Sequence, residues 1–562
     1  MRIKSLFLAI ALLSTTLLSA KEQPSWLKSA AIYHIYPSTY MDSNGDGIGD
    51  LEGIRSKLDY IKSVGFNCIW LSPCFESAWE DGGYDITDFY KVDPRFGTND
   101  DLKRLLDEAH SKGIKVLLDL VAGHTSDKHP WFKSSSQAER NKYSDYYIWT
   151  NGKPAKKPGP KFVDNNHPRN GYYIRNFFEI QPALNYGYYS PKANHEWEQG
   201  YDDEGPKAVR GELKRIIAYW CDMGADGFRV DMAKSLVKSD TKNRDGVRRL
   251  WNEIFEWYNK AYPENIMLSE WSDPEQSLSA GFNIDLLIHN GIGGKVYRPL
   301  VCETTDKMVP TTCYFNREGK GEIADAMKVY TDIYNTYRRL GGHASMPTCS
   351  HDIWRLTRMN RSTAEEQKVA ITLFLTLPTP PIVYYGEEIG MRNLEYAPPK
   401  EGSHSSRNRS VCRTPMQWSE ALNAGFSTVA DPSKLYLPID NARPFPNVDS
   451  QQGDPHSVLS YVKGLLSLRA ATPALGVEGE WQYVGDVENP YPMIYSRTLG
   501  SERYVVVFNP SGRTVEGTIK PLGKRAKWVY GNDTRLAKCK SSKHGHTFVM
   551  KPVSVAIFKL KD

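Results

Sequence analysis

The chain has 562 residues, of which 40% are hydrophobic and 24% charged, and its formal net charge at pH 7 is +5. This composition is that of a globular protein, and the length exceeds one ordinary hydrophobic core, so we expect two or three domains. The net charge is small, and no cluster of Lys and Arg with interleaved aromatic residues is present, which argues against a nucleic-acid-binding protein.

The first twenty residues resemble a secretion signal. Arg2 and Lys4 precede an apolar stretch, residues 6–18, that is too short to span a bilayer, and Ala20 ends an acceptable cleavage site. The residues that follow contain no cysteine that could carry a lipid anchor. We therefore expect residues 1–20 to be removed and the mature protein to be exported, without a membrane anchor, to the periplasm or the medium.

Eight cysteines permit disulfides in an exported protein. Most of them lie in apolar surroundings, where a buried free thiol is expected. Cys302 and Cys313, which flank a short polar segment, form the one candidate pair that we name.

Short strand-like runs alternate with helical patterns along most of the chain. This alternation predicts parallel strands joined by helical crossovers, and eight such strands fit a closed (β/α)8 barrel, an α/β fold, better than an open sheet. The predicted strands are residues 30–36, 68–72, 115–121, 227–231, 266–270, 282–288, 344–348 and 381–385, and the predicted helices are 51–64, 100–112, 212–223, 247–262, 323–340 and 364–377.

Two segments depart from the alternation. Residues 125–205, after the third strand, are rich in Lys, Pro, Asn, Tyr and Gly, which indicates a loop-rich inserted domain. The tail contains strand-like runs separated by turn residues, which predicts a C-terminal antiparallel β-domain. We therefore expect a signal peptide at 1–20, a barrel at 21–124 and 206–475, an inserted domain at 125–205 and a β-sandwich at 476–562.

Charged and imidazole side chains follow several predicted strands. In a β/α barrel the active site lies at the carboxyl ends of the strands, so these side chains converge on one rim. A single residue of this kind is more often structural, but a charged cluster is costly to bury unless it has a purpose. The residues are Asp119 and His124 after the third strand, Arg229 and Asp231 at the fourth, Glu270 at the fifth, and His351 and Asp352 after the seventh.

Three carboxylates and an arginine suit glycoside hydrolysis with retention of configuration. One carboxylate attacks the anomeric carbon and a second, kept protonated, protonates the leaving oxygen, with the two about 5–5.5 Å apart. Asp231 fits the first role, because the neighbouring guanidinium of Arg229 favours its ionised form. Glu270, flanked by Leu268 and Trp271, fits the second role, because an apolar setting raises a carboxyl pKa.

The motifs resemble, in order, those of the α-amylase family (glycoside hydrolase family 13). Residues 227–231 (GFRVD) are similar to the motif that carries the nucleophile, and residues 119–124 and 350–352 are similar to the motifs of strands three and seven. Residues 384–390 (YYGEEIG) and 413–418 (RTPMQW) resemble the branch that contains oligo-1,6-glucosidases, α-glucosidases and trehalose synthases.

The resemblance implies a role for each matching residue. Asp231 would be the nucleophile, Glu270 the general acid/base and Asp352 a third carboxylate that binds sugar hydroxyls. Arg229 would keep Asp231 ionised. The remaining implied substrate contacts are hydroxyl binding by His124, His351 and Asp85, and stacking of Tyr84 on the sugar ring.

The sequence departs from the family pattern without losing a catalytic group. Gly123 stands where an Asn usually precedes the strand-three histidine, and Ser235 stands where calcium-dependent amylases carry a further ligand-bearing His. We therefore do not expect the calcium site that joins barrel and insert in those amylases. Ser350, Ala183 and Ser269 replace a common Asn, Asp and Gly, which indicates a divergent subfamily.

A different loop is a candidate calcium site. Residues 42–50 (DSNGDGIGD) alternate oxygen-bearing side chains like the first part of an EF-hand, but Gly53 stands where an EF-hand needs its Glu. A solvated acidic turn is the alternative. The equivalent loop of the oligo-1,6-glucosidase branch binds calcium, which implies Asp42, Asn44, Asp46, Asp50 and the carbonyl of Ile48 as ligands.

The leading interpretation is a retaining hydrolase that cleaves α-1,4 or α-1,6 bonds in maltose- or isomaltose-type oligosaccharides or starch fragments. A transglucosylase or a maltose–trehalose isomerase would use the same covalent intermediate, and Lys234 resembles a residue of endo-acting amylases. A noncatalytic carbohydrate-binding relative is disfavoured because all three carboxylates are present. Met232, after the nucleophile, matches neither the Val of 1,6-acting members nor the Thr or Ala of 1,4-acting ones, so the linkage stays open, as does the oligomeric state.

Overall fold

The computed structural model describes residues 23–164, 166–301, 312–358, 361–403 and 408–561. The predicted signal, residues 1–20, and Cys302 of the candidate disulfide lie outside these residues. The strands are β1 (Ile32–Ile35), β2 (Cys68–Leu71), β3 (Phe75–Ser77), β4 (Ile86–Val92), β5 (Lys115–Leu120), β6 (Phe162–Val163), β7 (Tyr173–Ile174), β8 (Gly227–Val230), β9 (Ile266–Ser269), β10 (Ile284–Leu286), β11 (His343–Ser345), β12 (Ile382–Tyr384), β13 (Glu480–Tyr483), β14 (Met493–Leu499), β15 (Glu502–Asn509), β16 (Val515–Ile519), β17 (Arg525–Gly531), β18 (Ala537–Ser542), β19 (Gly545–Met550) and β20 (Ser554–Lys561).

Helices fill most of the crossovers between the strands. Within the described ranges, none of them is both long enough and apolar enough to cross a membrane. The helices are α1 (Leu51–Arg55), α2 (Leu58–Val64), α3 (Asn99–Ser111), α4 (Pro130–Ser135), α5 (Glu204–Met223), α6 (Asp245–Ala261), α7 (Pro274–Ser279), α8 (Gly294–Val301), α9 (Ala324–Leu340), α10 (Ala364–Thr376), α11 (Val448–Gln451) and α12 (Val458–Ala471).

Eight parallel strands form the central sheet, in the order β11, β10, β9, β8, β5, β2, β1, β12. The sheet closes on itself, because Pro347, beyond β11, pairs in parallel with Ile382 of β12, and the amide of Thr348 donates to the Ile382 carbonyl at 3.0 Å. Every residue of β2, β8 and β9 is buried, as expected for barrel strands covered on both faces. The predicted (β/α)8 barrel is confirmed.

Helix boundaries follow the sequence pattern with two differences. Residues 51–64 form two helices rather than one, because Lys57 leaves the helical region at φ −109°, ψ 7°. Helix α5 begins at Glu204, eight residues before the predicted start, so the inserted domain ends before it. Gly205 and Pro206 hide this start in the sequence, although proline is tolerated in a first helical turn, where its missing N–H has no partner to lose.

Local capping explains where the well-formed helices begin. At α3 the Thr98 hydroxyl accepts from the amide of Asp101, and the Asp101 carboxylate accepts from the amide of Thr98. Thr363 and Glu366 form the same reciprocal pair at α10. Such pairs satisfy two of the amides that a helix start leaves unbonded, which fixes the first residue of each helix.

A hairpin that the sequence analysis does not predict follows the second barrel strand. Strands β3 and β4 pair antiparallel, with register shifts at Phe75 and Glu76. The loop between them, residues 78–85, carries Tyr84 and Asp85. This hairpin therefore delivers the first group of predicted substrate-binding residues to the rim of the barrel.

The inserted segment contains little regular structure, as expected. Beyond α4 and the β6–β7 pair, isolated bridges join it to the barrel, including His124 with Ala183. A small core of Ile148, Ile174, Ala183 and Tyr188 lies inside it. The segment is a compact cover on the rim of the barrel rather than an unstructured loop.

The tail forms two antiparallel sheets, in the orders β13–β14–β15–β20–β17 and β16–β19–β18. One face of the larger sheet joins the barrel core through Tyr495, Val506 and Phe508. The predicted C-terminal antiparallel β-domain is confirmed. The core between the two sheets includes Ile494, Val505, Val507, Phe548 and Phe558.

Candidate active site

A pocket opens where the carboxyl ends of the barrel strands meet the inserted segment. All three predicted catalytic carboxylates, Asp231, Glu270 and Asp352, line it. Phe177 of the inserted segment lies on another part of its wall and is 44% exposed. The structure therefore brings together residues that are 121 positions apart in the sequence, from Asp231 to Asp352, at the rim where a barrel enzyme places its chemistry.

Arg229 is the common partner of the carboxylates on one side of the pocket. It lies on β8 with only 3% of its surface exposed. One terminal nitrogen donates to Asp119 at 2.8 Å and to Asp231 at 3.3 Å, and the other donates to Glu270 at 2.7 Å. One guanidinium thus serves three carboxyl groups, which fixes the positions of all three.

Asp231, directly after β8, has a pKa well above its usual range. Burial is the main cause and the negative charge of Glu270 adds to it, while Arg229 opposes both. Arg229 contacts Asp231 and lowers its pKa, which is the predicted direction of its effect, and burial opposes it.

The setting of Glu270 also differs from the prediction. Its Oε2 atom accepts hydrogen bonds from Arg229 and from the amide of Met232 at 2.9 Å, and its side chain is 21% exposed. Leu268 and Trp271, the apolar neighbours in sequence, are buried. The carboxyl of Glu270 thus has polar partners, Arg229 and the amide of Met232, rather than the apolar setting that its sequence neighbours suggest.

Asp231 and Glu270 lie on the same side of the pocket and are both hydrogen-bonded to Arg229. Burial and the charge of Glu270 favour a proton on Asp231, and Arg229 opposes it. Two carboxyl groups next to one bound guanidinium can supply a proton donor and a nucleophile at the same point of the pocket.

Asp352 is held in the opposite state. Burial alone would raise its pKa, but the guanidinium groups of Arg409 and Arg413 hold that pKa well below its usual range. Arg413 donates to Asp352 at 3.1 Å, and Arg409 donates to the same Oδ1 atom. Asp352 is therefore a fixed anion on the pocket wall, suited to accepting hydrogen bonds from hydroxyl groups.

The two predicted hydroxyl-binding histidines are neutral. Burial lowers the pKa of His124 to about 4 and that of His351 to about 3. Tyr84 stacks on His351 with ring centroids 5.2 Å apart and an interplanar angle of 18°, and its hydroxyl donates to Asp119 at 3.0 Å. His124 and Tyr84 line the pocket, and His351 backs Tyr84 from the barrel side.

Asp85 is not a pocket residue. It is fully buried, and its carboxylate accepts from the Ser77 hydroxyl at 2.9 Å and from the amides of Glu80 at 2.9 Å and Asp81 at 3.0 Å. The prediction that Asp85 binds sugar hydroxyls is corrected, because every one of these bonds shapes the loop that carries Tyr84.

Asp81 takes the place in the pocket wall that was assigned to Asp85. One oxygen of Asp81 accepts from Arg409 at 2.9 Å and the other accepts from Gln181 at 2.8 Å. Asp81 and Arg409 are not among the predicted site residues. The available signal is their position: Asp81 lies four residues before Asp85, a predicted site residue, and Arg409 lies four residues before Arg413 of the RTPMQW motif.

The pocket lining also contains apolar residues, Phe177, Met232, Trp271 and Ile288. Lys234 donates to the Trp271 carbonyl at 2.9 Å, which anchors its ammonium in the lining. The apolar residues offer surface on which a ring-shaped ligand can pack.

The predicted calcium loop is closed by its own hydrogen bonds. Asp42, 1% exposed, accepts from the amides of Asn44, Gly45 and Gly47 and from the Ser427 hydroxyl at 2.6 Å. Within the described ranges, no group of three or more His, Cys, Asp or Glu side chains is arranged to hold a metal ion. The donor chemistry is nonetheless all oxygen, the type that a hard divalent cation prefers.

The other predicted ligands make similar bonds. Asn44 accepts from the amide of Asp46, and Asp46 accepts from the amide of Ile48, each through a side-chain oxygen. Asp50 accepts from the amide of Gly53 and caps α1. These turns give the loop a fixed shape with its oxygens on alternating positions.

Comparison with known proteins adds to this geometry. The family model described as the α-amylase catalytic domain matches residues 34–478. An oligo-1,6-glucosidase of Parageobacillus thermoglucosidasius is 32% identical over 555 residues, covering 87% of this chain and 91% of that protein. A trehalose synthase/amylase of Mycolicibacterium smegmatis is 30% identical over 515 residues, covering 84% of this chain and 81% of that protein.

A solved structure shares the fold. The trehalose-6-phosphate hydrolase of Bacillus licheniformis superposes with a TM-score of 0.77 at 25% identity, covering 96% of this chain and all of that one. The similarity therefore extends over barrel, inserted segment and C-terminal domain alike.

Proposed function

The chain belongs to the α-amylase family, and from that premise we propose that it is an exported α-glucosidase that releases glucose from the ends of short α-glucans. Membership of the family and the glucosidase relatives establish a glycosidase that acts on glucosidic bonds. The proposal adds three points to this activity: the enzyme acts at chain ends, its substrates are short, and it is exported.

The shape of the pocket supports action at a chain end. Asp81, Arg409 and Asp352 form a continuous ion-paired set on the wall beside the catalytic pair. A terminal glucose can enter such a pocket and meet fixed hydroxyl-binding groups, whereas an internal segment of a long glucan needs an open passage on both sides. This ion-paired wall is the observation that carries the proposal.

The chemistry follows from the two carboxyls beside the glycosidic oxygen. Glu270 gives its proton to that oxygen as the ionised Asp231 attacks the anomeric carbon, so the glycosidic bond breaks, the departing sugar leaves as an alcohol and a glucosyl ester forms on Asp231. Glu270 then takes a proton from water, and the water oxygen displaces Asp231 from the anomeric carbon, which returns both carboxyls to their starting states.

Arg229 contacts both members of the pair throughout these steps. Because it hydrogen-bonds to Asp231 and Glu270 at the same time, it can offset negative charge on whichever group is ionised. The neutral His124 and the anionic Asp352 orient the sugar through its hydroxyls, which holds the anomeric carbon in place for attack.

The direct test is chromatography of the products from maltose, isomaltose, trehalose, maltoheptaose and soluble starch, with Asp231→Asn as the control. We expect the parent to release glucose from the short sugars and the control variant to release none. The short sugar that is cleaved fastest identifies the preferred linkage. Long fragments from starch would indicate an endo-acting amylase instead. Trehalose or longer sugars from maltose would indicate a transferase, and no turnover at all a binding protein.

We also propose that residues 42–50 bind calcium through Asp42, Asn44, Asp46, Asp50 and the carbonyl of Ile48. The alternating oxygens and the closed turns support this role, which would be structural because the loop lies outside the pocket lining. Metal analysis of the purified protein should find calcium, and a chelator should lower the melting temperature. Asp46→Ala should abolish both effects, and equal behaviour of this variant and the parent would contradict the site.

Export rests on residues 1–20 and is tested separately. Cell fractionation followed by mass spectrometry of the purified protein should find a mature chain that begins near Lys21, in the periplasm or the medium. A full-length chain in the cytoplasm would contradict this part of the proposal.

A further inference from the structure

Asn176, on the inserted segment, reaches into the rim of the barrel. Its side chain is buried, with only 4% of the residue exposed. Its Nδ2 atom lies 3.0 Å from Nδ1 of His124, and its Oδ1 atom accepts from the Ser235 hydroxyl at 3.3 Å. Its Nδ2 atom also lies 3.8 Å from the sulfur of Met232. One amide thus contacts three residues that line the pocket.

Gly123 makes room for this amide. A Cβ atom at position 123 would lie 2.7 Å from Nδ2 of Asn176, closer than side-chain carbons approach other atoms. No left-handed backbone conformation requires glycine there. The glycine is therefore explained by the side chain of Asn176, which fills the space that any larger residue at 123 would take.

The Tyr84 carbonyl decides which nitrogen of His124 carries the hydrogen, and Asn176 bonds to the other nitrogen. Nε2 of His124 lies 3.0 Å from the carbonyl of Tyr84, and because a carbonyl only accepts, Nε2 must donate. In a neutral ring Nδ1 is then the acceptor, and the Asn176 amide is its donor. The ring therefore cannot rotate without losing two hydrogen bonds in a buried site. With Nδ1 held by Asn176, the Nε2 hydrogen is the group that can turn from the Tyr84 carbonyl to a sugar hydroxyl that enters the pocket.

We propose that Asn176 is a positioning residue that acts through His124: the inserted segment, by this one amide, holds Nδ1 of the ring and so fixes the orientation of the histidine that lines the pocket. The role rests on the proposed glucosidase function, since it has meaning only if His124 contacts a sugar hydroxyl. The contact with Met232 extends the effect, because the amide of Met232 holds Glu270.

The test uses Asn176→Leu, which keeps the shape of the side chain and removes its hydrogen bonds. With p-nitrophenyl α-glucoside we expect kcat/KM to fall roughly tenfold, the cost of one buried hydrogen bond. Gly123→Ala, which displaces the Asn176 amide from the other side, should lower kcat/KM by a similar factor.

The double variant Gly123→Ala with Asn176→Ala tests whether the two residues act together. Its kcat/KM should be no lower than that of Asn176→Ala alone. Asn151→Leu, at an exposed position of the same segment, is the matched control and should be unaffected.

Substrate analogues separate positioning from a general loss of structure. Parent and Asn176→Leu are compared on the four monodeoxy p-nitrophenyl α-glucosides. For the analogue that lacks the hydroxyl contacted by His124, the difference between parent and variant should disappear, while the other three keep it. An equal loss on all four analogues, or no loss on any substrate, would overturn the proposal. If the parent itself cleaves no α-glucoside, the proposed function fails instead.

Discussion

At the scale of single residues, the main feature of the site is that the one guanidinium of Arg229 is shared by three carboxyl groups. Arg229 faces Asp119, Asp231 and Glu270, so three carboxyls share a single positive charge. Burial raises the pKa of Asp119 to about 6 and also raises that of Asp231. One cation cannot offset three buried negative charges, so packing favours a proton on this cluster.

Two separate variants, Asp81→Asn and Asp85→Asn, test the assignment of Asp81 to the pocket and of Asp85 to the loop that carries Tyr84. Asp81→Asn weakens the ion pair with Arg409 and should lower kcat/KM at least tenfold, with little change in stability. Asp85→Asn turns an amide N–H₂ group towards donors and should cost about 2 kcal/mol of unfolding free energy. Enzyme kinetics and urea unfolding check both, and an Asp85→Asn variant of normal stability that has lost its activity would contradict the assignment.

The catalytic residues could be predicted from sequence because each belongs to a strand end. Asp231 and Glu270 directly follow the buried strands β8 and β9, and Asp352 lies seven residues beyond the end of β11, so the barrel topology places all three on one rim. Asp81 and Arg409 could not, because they lie in loops whose path depends on distant contacts. Pairing across 328 positions leaves no trace in local periodicity.

At the scale of elements, helix α4 begins with an imidazole instead of the usual hydroxyl or amide cap. His129 is 3% exposed, and its Nδ1 accepts from the amide of Trp131 at 3.0 Å, while Pro130 occupies the first helical position. Burial lowers its pKa to about 3. A protonated ring has no acceptor, so the cap exists only in the neutral form.

This cap predicts a pH-dependent stability. As pH falls below 6.5, the unfolded chain takes up a proton at His129 and the folded chain does not, so unfolding becomes easier. The stabilising contribution is complete above pH 6.5 and is lost as pH falls towards 3. Between pH 6.5 and 4 the parent should lose about 3 kcal/mol more than His129→Asn, whose amide can also cap. Parallel slopes of unfolding free energy against pH would contradict this.

The elements with a clear hydrophobic pattern could be predicted from the sequence. The elements whose shape depends on contacts with distant parts of the chain could not. The barrel strands are short apolar runs, which the sequence displays directly. The β3–β4 hairpin has irregular register and a mixed burial pattern, and so it lacks the alternation that marks a strand pair. The start of α5 is hidden by Gly205 and Pro206 for a similar reason.

At the scale of the whole molecule, Arg497 ties the C-terminal domain to the barrel. It is fully buried on β14 and donates to the carbonyls of Thr376, Leu475, Gly476 and Gly479. Thr376 is the last residue of α10, so the guanidinium also satisfies a carbonyl at a helix end. The two domains are joined by hydrogen bonds as well as by apolar contact.

Removing this tie should destabilise the protein strongly. Arg497→Met leaves several buried carbonyls without a donor and should cost about 3 kcal/mol of unfolding free energy, measured by urea unfolding. Lys527→Met, at an exposed position of the same domain, should change it by less than about 0.5 kcal/mol. If both substitutions changed the unfolding free energy by less than about 0.5 kcal/mol, the stabilising role of Arg497 would be contradicted.

The central claim is that Asp231 and Glu270 cleave an α-glucosidic bond with retention. The most direct measurement follows the hydrolysis of p-nitrophenyl α-glucoside by proton NMR at early times, before the released sugar equilibrates. We predict that the α-anomer of glucose appears first, and that Asp231→Asn remains folded and releases none. First appearance of the β-anomer, or normal release by Asp231→Asn, would contradict the account.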